Sequence, residues 1–488
     1  MKMAKHCGYV IEVKKLKPHP NADRLQLLEV FGTETCVPLD VKMGDIGIYF
    51  PTDLQLSEEF CVANDLLEKK DENGNKIGGY LHPTKRNVKC IRLRGEKSDG
   101  TYLPITCLDY LNLAEMPKVG DTIDVLDGHE ICRKYIPAVP AKSAGNGGVK
   151  VGKRKTPIAP LFAEHVDTEQ LPYNLDAFKP GDYVEITLKM HGTSGRTAHL
   201  PKHVGYKDSF GTKAGNAIKK ILNKLTNSHY EEYHDEPIYE YGYVSGTRRV
   251  VLNDFNGPAY YASNDFREPH AKAFEGKLYK GETVYYEIVG FQNNGIPIMA
   301  DCDNKKTKDK DFIKQYGDTT TFSYGCEPFG FKVNPADPKM PTTTPKVDYI
   351  TPQSDMYVYR MTMTNEDGDV VEYTPDFMRY RCEQMGVKTV PVLWSGIIPD
   401  FYQLPDNVGS LQSIAAGEFI CKIAEQYYDG PDPIGKTHIR EGVVVRIVNR
   451  PTFKAYKWKN FYFKVLENII KVDAETPDME EAQEVGEN

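Results

Sequence analysis

The strongest chemical signal in this chain is a short run, Lys189-Met190-His191-Gly192-Thr193-Ser194, that follows an apolar-alternating segment. Alternation at Val184, Ile186 and Leu188 predicts a half-buried strand over 184–188. Gly192 with Thr193 and Ser194 predicts a tight turn that lets backbone approach a ligand closely. Such a strand delivers one amine, that of Lys189, into a cleft, and an amine that sheds its proton is a nucleophile. Most lysines at strand ends are merely solvated, so the chemistry depends on partners elsewhere in the chain.

Further segments supply such partners in a consistent order. Ser245-Gly246-Thr247-Arg248-Arg249 puts two guanidinium groups after a tight turn, suited to phosphate contact. Tyr285-Tyr286-Glu287-Ile288-Val289 sets one carboxylate in an apolar strand, where it needs a ribose hydroxyl or a metal-bound water as partner. Tyr357-Val358-Tyr359 offers aromatic faces for a base, and Glu441 stands at the mouth of the apolar run 443–445. Lys454-Ala455-Tyr456-Lys457-Trp458-Lys459 carries alternate lysines on one side of a strand. Taken singly, a strand glutamate, a tyrosine pair and a Lys-x-Lys are ordinary core or surface residues. The ordered set is the specific signal.

The elements that must position this set are mixed. Strands are expected over 184–188, 284–291, 356–363 and 443–447, and helices over 214–225, 269–278 and 411–428. Without βαβ regularity, this predicts an α+β domain of antiparallel sheets with flanking helices. A length of 488 residues predicts more than one domain. The division read from composition is a β-rich module over 1–136, a basic Pro/Gly/Ser linker over 137–160, the α+β domain over 161–472, and an acidic tail over 473–488 expected to be disordered.

A net charge of -8 argues against non-specific coating of nucleic acid, so local basic patches matter more than the total. Ten cysteines occur singly, with no Cys-x-x-Cys pair. This fits a reducing cytoplasm and opposes a disulfide framework or a cysteine zinc site. No apolar run approaches the roughly 20 residues of a membrane helix. The stretch 148–153 lacks the glycine spacing of a phosphate-binding loop, and Lys305 and Lys306 occupy ligand and glycine positions of an EF-hand, so both motifs are rejected.

In the first module, short alternating strands over 9–13, 25–30, 46–50 and 88–93 predict a small β-barrel. His19-Pro20-Asn21-Ala22-Asp23-Arg24-Leu25 resembles the opening of tRNA-binding-type OB-folds. Arg92-Leu93-Arg94-Gly95-Glu96-Lys97-Ser98-Asp99-Gly100 resembles a strand-and-turn signature of OB modules attached to RNA ligases. Lys89, Arg92 and Arg94, with Lys85 and Arg86 close by, are the candidate nucleic-acid contacts.

Lys189-Met190-His191-Gly192 resembles motif I of the nucleotidyltransferases in the Lys-x-His-Gly form of the second RNA ligase family. Glu287 matches the motif III acid, Tyr359 the motif IIIa aromatic, Glu441 the motif IV acid, and Lys457 with Lys459 the motif V lysines, Lys454 and Lys464 being alternatives for the last pair. The family's usual glutamate before the nucleophile is here Leu188, and relatives fused to an OB module often carry aspartate at the place of His191. The resemblance implies an ATP-grasp-like ligase domain behind an OB module. It implies attack of Lys189 on the α-phosphate of ATP, AMP held covalently on Lys189, and Mg2+ or Mn2+ held by Glu287 and Glu441. His191, Gly192, Arg248 and Tyr359 would line the nucleotide site. AMP would pass to an RNA 5′-phosphate and be displaced by a 3′-hydroxyl, the break lying in a nicked duplex, an RNA-DNA hybrid or a single strand. A monomer acting in the cytoplasm is expected, and the OB module is expected to present the strand beside the break. A capping-type guanylyltransferase and a non-catalytic RNA-binding protein with a decayed transferase domain are the alternatives.

Overall fold

The computed structural model describes residues 6–73, 76–135, 156–226, 230–252, 255, 264–329, 333–334, 337–341, 351–400 and 409–473. Most of the expected linker and all of the tail beyond 473 lie outside the described residues.

The first module contains β1 (Gly8–Glu12), β2 (Leu25–Val30), β3 (Thr33–Pro38), β4 (Ile46–Phe50), β5 (Cys90–Leu93), β6 (Glu96–Asp99) and β7 (Thr101–Pro104). β7, β4 and β1 form one antiparallel sheet that continues to Thr122–Ile123, whereas β2 pairs with Leu16–Pro18 on one side and β3 on the other, and β5 pairs, among the described residues, only with β6. These ladders do not join into a closed barrel among the described residues. The seam explains why. β3 meets β6 through side chains, with Ser98 Oγ accepting from the Cys36 backbone at 3.1 Å and lying 3.3 Å from the Thr35 hydroxyl. Alternation in sequence predicts strands correctly but is silent on whether neighbours share a backbone ladder.

The second domain contains β8 (Tyr183–Lys189), β9 (Thr193–Lys207), α1 (Phe210–Thr226), β10 (Glu236–Gly246), β11 (Glu282–Gly290), β12 (Ser354–Thr364), α2 (Pro375–Met385), β13 (Val392–Ile397), α3 (Gly409–Glu425), β14 (Gly442–Ile447), β15 (Lys454–Lys459) and α4 (Phe461–Asp473). The class is α+β with mainly antiparallel sheets. One sheet runs β15, β14, β8, β13, with Glu169–Gln170 added in parallel at the β15 edge. The other runs β10, β9, β11, β12, flanked by Val251–Leu252 and Val370–Glu372. The helix expected over 269–278 is short, Glu268–Lys272, and gives way to turns that include Gly276 at φ +75°.

Period-two burial fixes the faces. Val184 and Ile186 of β8, Val443, Val445 and Ile447 of β14, and Tyr456 and Trp458 of β15 pack with Ala416, Ile420 and Ala424 of α3. Val284, Tyr286 and Ile288 of β11 pack with Met378, Cys382 and Met385 of α2. Each of these buried aliphatic side chains contributes roughly 1.5–3 kcal/mol, so a one-residue register slip is strongly disfavoured. The alternate residues are thereby turned inward. Glu185, Thr187 and Lys189 line the space between the sheets.

Candidate active site

Three adjacent strands bring their alternate residues into rows. Lys189 of β8 is opposite Gly442 of β14, which is opposite Lys459 of β15. Two residues along, Thr187, Val444 and Lys457 form the next row on the same face. Lys189, Lys457 and Lys459 therefore share one wall, while Lys454 is exposed and belongs to the opposite parity with Tyr456 and Trp458. Gly442 sits at φ +148°, and a Cβ there would lie 2.0 Å from the Trp458 carbonyl. Only glycine lets the row close up between the two lysines.

The charges on this wall are linked. Lys189 Nζ donates to Glu441 Oε1 at 2.6 Å, and Lys459 Nζ lies 3.9 Å from the same oxygen. Lys459 also donates to both oxygens of Glu467 at 2.7 and 2.8 Å. Glu467, on the first turns of α4, was not anticipated from sequence. Burial pulls the Lys457 amine down to about 8, helped by the neighbouring charges of Lys459, Lys189 and Arg248.

Facing this wall, Glu287 of β11 is opposite Ser194 of β9, whose hydroxyl lies 3.4 Å from Glu287 Oε2. Gly192 makes the approach of the sheets possible, since a Cβ there would meet the Ile288 carbonyl at 2.3 Å. His191 donates its backbone N–H to the Tyr324 hydroxyl at 2.6 Å, and its ring lies edge-on between Phe322 and Phe463, each at 4.7 Å. Burial lowers its pKa, so the ring is neutral near pH 7. An aromatic slot thus accounts for histidine here. Leu188 is 1% exposed and packs with Met190, Val289 and Phe463.

Tyr359 lies edge-on to His165 at 5.2 Å, and His165 is 6.3 Å from Phe453. All three line one cavity of about 670 Å3, together with Lys189, Glu287, Glu441, Lys457 and Lys459. His165 and Phe453 carry no sequence signal of their own, because they meet Tyr359 only in the fold. Arg248 also lines the cavity and donates to Asp167 Oδ1 at 3.0 Å, with Arg249 on the other oxygen at 3.2 Å.

The first module closes the cavity, contributing His6, Thr52, Asp53 and Lys134. Burial, with Lys134 and Lys457 nearby, lowers the His6 ring to about 4. Of the expected nucleic-acid contacts, Arg94 is exposed and Lys89 half-buried. Arg92 is placed otherwise, ion-paired with Asp309 and donating to the Tyr462 hydroxyl at 3.1 Å. A basic run reads alike in sequence whether its counter-charge is phosphate or a carboxylate of the same chain, and here Arg92 is an intramolecular contact.

The donor set fits a divalent ion carried in with phosphates. Glu441 is 2% exposed, yet its Oε2 has no hydrogen-bond partner among the described residues. Among the described residues no cluster of three or more His, Cys, Asp or Glu side chains forms a cage. One or two carboxylates plus phosphate oxygens are the usual environment of such an ion.

No family model and no curated protein matches this sequence. Solved structures do resemble it. A lysine-to-methionine mutant of Naegleria gruberi RNA ligase with AMP and Mn is 14% identical, with a TM-score of 0.50 over 94% of this chain and 98% of that one. A lysine-to-alanine mutant of the same ligase with ATP and Mn is also 14% identical, with a TM-score of 0.49 over 96% and 100% of the two chains. At this identity the likeness of the first concerns the fold, an RNA-ligase-like α+β architecture that spans nearly the whole chain. No helix among the described residues is long and apolar enough to cross a membrane.

Proposed function

We propose that this protein is an ATP-dependent RNA ligase with Lys189 as its nucleophile. The observation that carries this reading is the row of Lys189, Gly442 and Lys459, with buried Glu441 left holding one oxygen unused. An acceptor left unused beside the lysine row suits a site for polyphosphate and metal.

In this reading the Lys189 amine, having lost its proton, attacks the α-phosphorus of ATP. A P–N bond forms, the bond from the α-phosphorus to the bridging oxygen breaks, and pyrophosphate leaves with the electron pair. Lys457, Lys459 and Arg248 neutralise the phosphates, and Glu441 orients the amine. Glu287 and Glu441 would hold Mg2+ or Mn2+, which supplies charge neutralisation on the phosphate oxygens. Tyr359, with His165 and Phe453, offers the aromatic surface for adenine, and Gly192 keeps the turn against β11. AMP then passes to an RNA 5′-phosphate, and an adjacent 3′-hydroxyl displaces it, in nicked duplex or RNA-DNA hybrid.

We assign 1–136 as an OB-type module, 137–160 as linker, 161–472 as the ligase domain and 473–488 as tail. Lys89 and Arg94 are the remaining RNA contacts of the first module. A monomer in the cytoplasm is the form we propose, in keeping with cysteines that form no disulfide among the described residues.

The test is incubation with labelled ATP or GTP and a divalent ion. Labelling by ATP that is lost in Lys189→Ala, by at least about 10³-fold, is the expected result. Labelling by GTP alone would point to capping chemistry, and no labelling by either would point to a binding protein without transferase activity.

A further inference from the structure

Helix α4 links two buried charge systems that lie in different modules. Its first turn meets the first module, where Phe461 and Val465 pack against Cys90, and the Lys97 amine stands 5.2 Å from the Phe461 ring centre. Lys464 is ion-paired with Asp99 at the end of β6. Asp99 is 2% exposed and accepts from the Thr52 hydroxyl at 2.6 Å and the Thr33 hydroxyl at 3.3 Å. One helical turn beyond Lys464, Glu467 accepts from Lys459, next to the Glu441–Lys189 pair. In a helix, residues three apart share a face. Lys464 and Glu467 therefore lie close together on α4, while the Lys464 amine is engaged by Asp99.

We propose that Asp99 of the first module is a positioning residue for lysine adenylation, acting through Lys464, Glu467 and Lys459 on the Glu441–Lys189 pair. This rests on the reading of Lys189 as the nucleophile. With Asp99 in place, Lys464 is neutralised, Glu467 retains Lys459, and Glu441 remains to orient Lys189. Without the Asp99 charge, Lys464 turns to Glu467, Lys459 shifts the short distance to Glu441, and Lys189 loses its orienting partner. Docking of the first module is thus part of assembling the nucleophile, in addition to any role in holding RNA.

The test compares full-length wild type, Asp99→Asn, Asp99→Asn with Lys464→Met, and Glu467→Gln. The single Asp99→Asn change should lower the adenylation rate about 10-fold to 100-fold, the scale of a misplaced reacting group, with less effect on the KM for ATP. Removing the orphaned amine in the double variant should restore most of the rate. Glu467→Gln should reproduce the loss, and adding Lys464→Met to it should give no relief. In nucleotide-free protein, acetylation of Lys189 by acetic anhydride, followed by mass spectrometry, should rise in Asp99→Asn and fall back in the double variant. A double variant no better than Asp99→Asn would overturn the proposal. So would wild-type adenylation in Glu467→Gln, which decides the matter if Asp99→Asn alone does not fold. Absence of wild-type labelling would instead sink the ligase reading, and unchanged Lys189 acetylation would then dispose of the linkage as well.

Discussion

Glu282 and Glu441 are both buried glutamates that face a cation, yet they are surrounded very differently. Glu282 accepts two hydrogen bonds from Arg381, at 2.9 and 2.8 Å, one from the Tyr373 hydroxyl at 3.0 Å and one from the Tyr279 backbone at 2.8 Å. Both of its oxygens are used, by donors with fixed geometry. Glu441 has the Lys189 amine on one oxygen, with Lys459 3.9 Å from it, and no hydrogen-bond partner on the other among the described residues. Glu282 is thus saturated by its donors, whereas Glu441 is left short of them beside excess positive charge, which a polyphosphate would balance.

The contrast is broken most sharply by exchanging the consequences of mutation. Arg381→Met should cost about 3–5 kcal/mol of stability by leaving Glu282 buried without its partner, while labelling per folded molecule stays within about twofold. Glu441→Gln should fall mainly on the chemistry, lowering labelling about 10²-fold to 10³-fold and stability by about 1–3 kcal/mol, less than Arg381→Met. Chemical denaturation and labelling on the same samples decide between them. If Glu441→Gln unfolds the protein and spares labelling, the contrast is wrong.

Lys457 sharpens it further. Its amine is held near 8 in the folded protein against an ordinary 10.5, so the folded state binds fewer protons between those values. Wild-type stability should therefore rise as pH increases from about 8 to 10.5, and the burden of this charge is greatest below pH 8. Lys457→Met should stabilise the nucleotide-free protein at pH 7 by up to about 3 kcal/mol while lowering labelling, and the gain should shrink as pH approaches 10.5. Thermal melts across that range would reveal a destabilised variant if the reading is mistaken.

The smallest effect is expected at His191. An aspartate placed between Phe322 and Phe463 should reduce labelling by only about tenfold, less than Lys189→Ala, since the aromatic slot holds the ring and the catalytic charges lie elsewhere. Equal loss from both variants would make His191 part of the chemistry.

What sequence revealed was the part governed by local periodicity. Alternation placed β8, β11, β12 and β14 to within a few residues, and the two-residue spacing of Lys457 and Lys459 implied a shared face. Lys454 was left open until β15 acquired its register. Contacts between distant segments had no such signature. Nothing near Asp99 announces Lys464, and nothing near Tyr359 announces His165 or Phe453, because their proximity is a product of the two sheets closing together. Arg92 is a further case, a basic residue whose carboxylate partner, Asp309, lies more than two hundred positions away. Strand alternation likewise predicted the first module's strands without foretelling that their ladders remain separate.

The turn at Gly192 has a mechanical consequence. β8 ends in one sheet at Lys189 and β9 begins in the other at Thr193, so three residues form the binding between two covers. A Cβ at Gly192 would lie 2.3 Å from the Ile288 carbonyl, so any larger residue would force the two covers apart at this corner. Lys189 stands at the spine itself, where the separation of the covers is set by a single missing side chain.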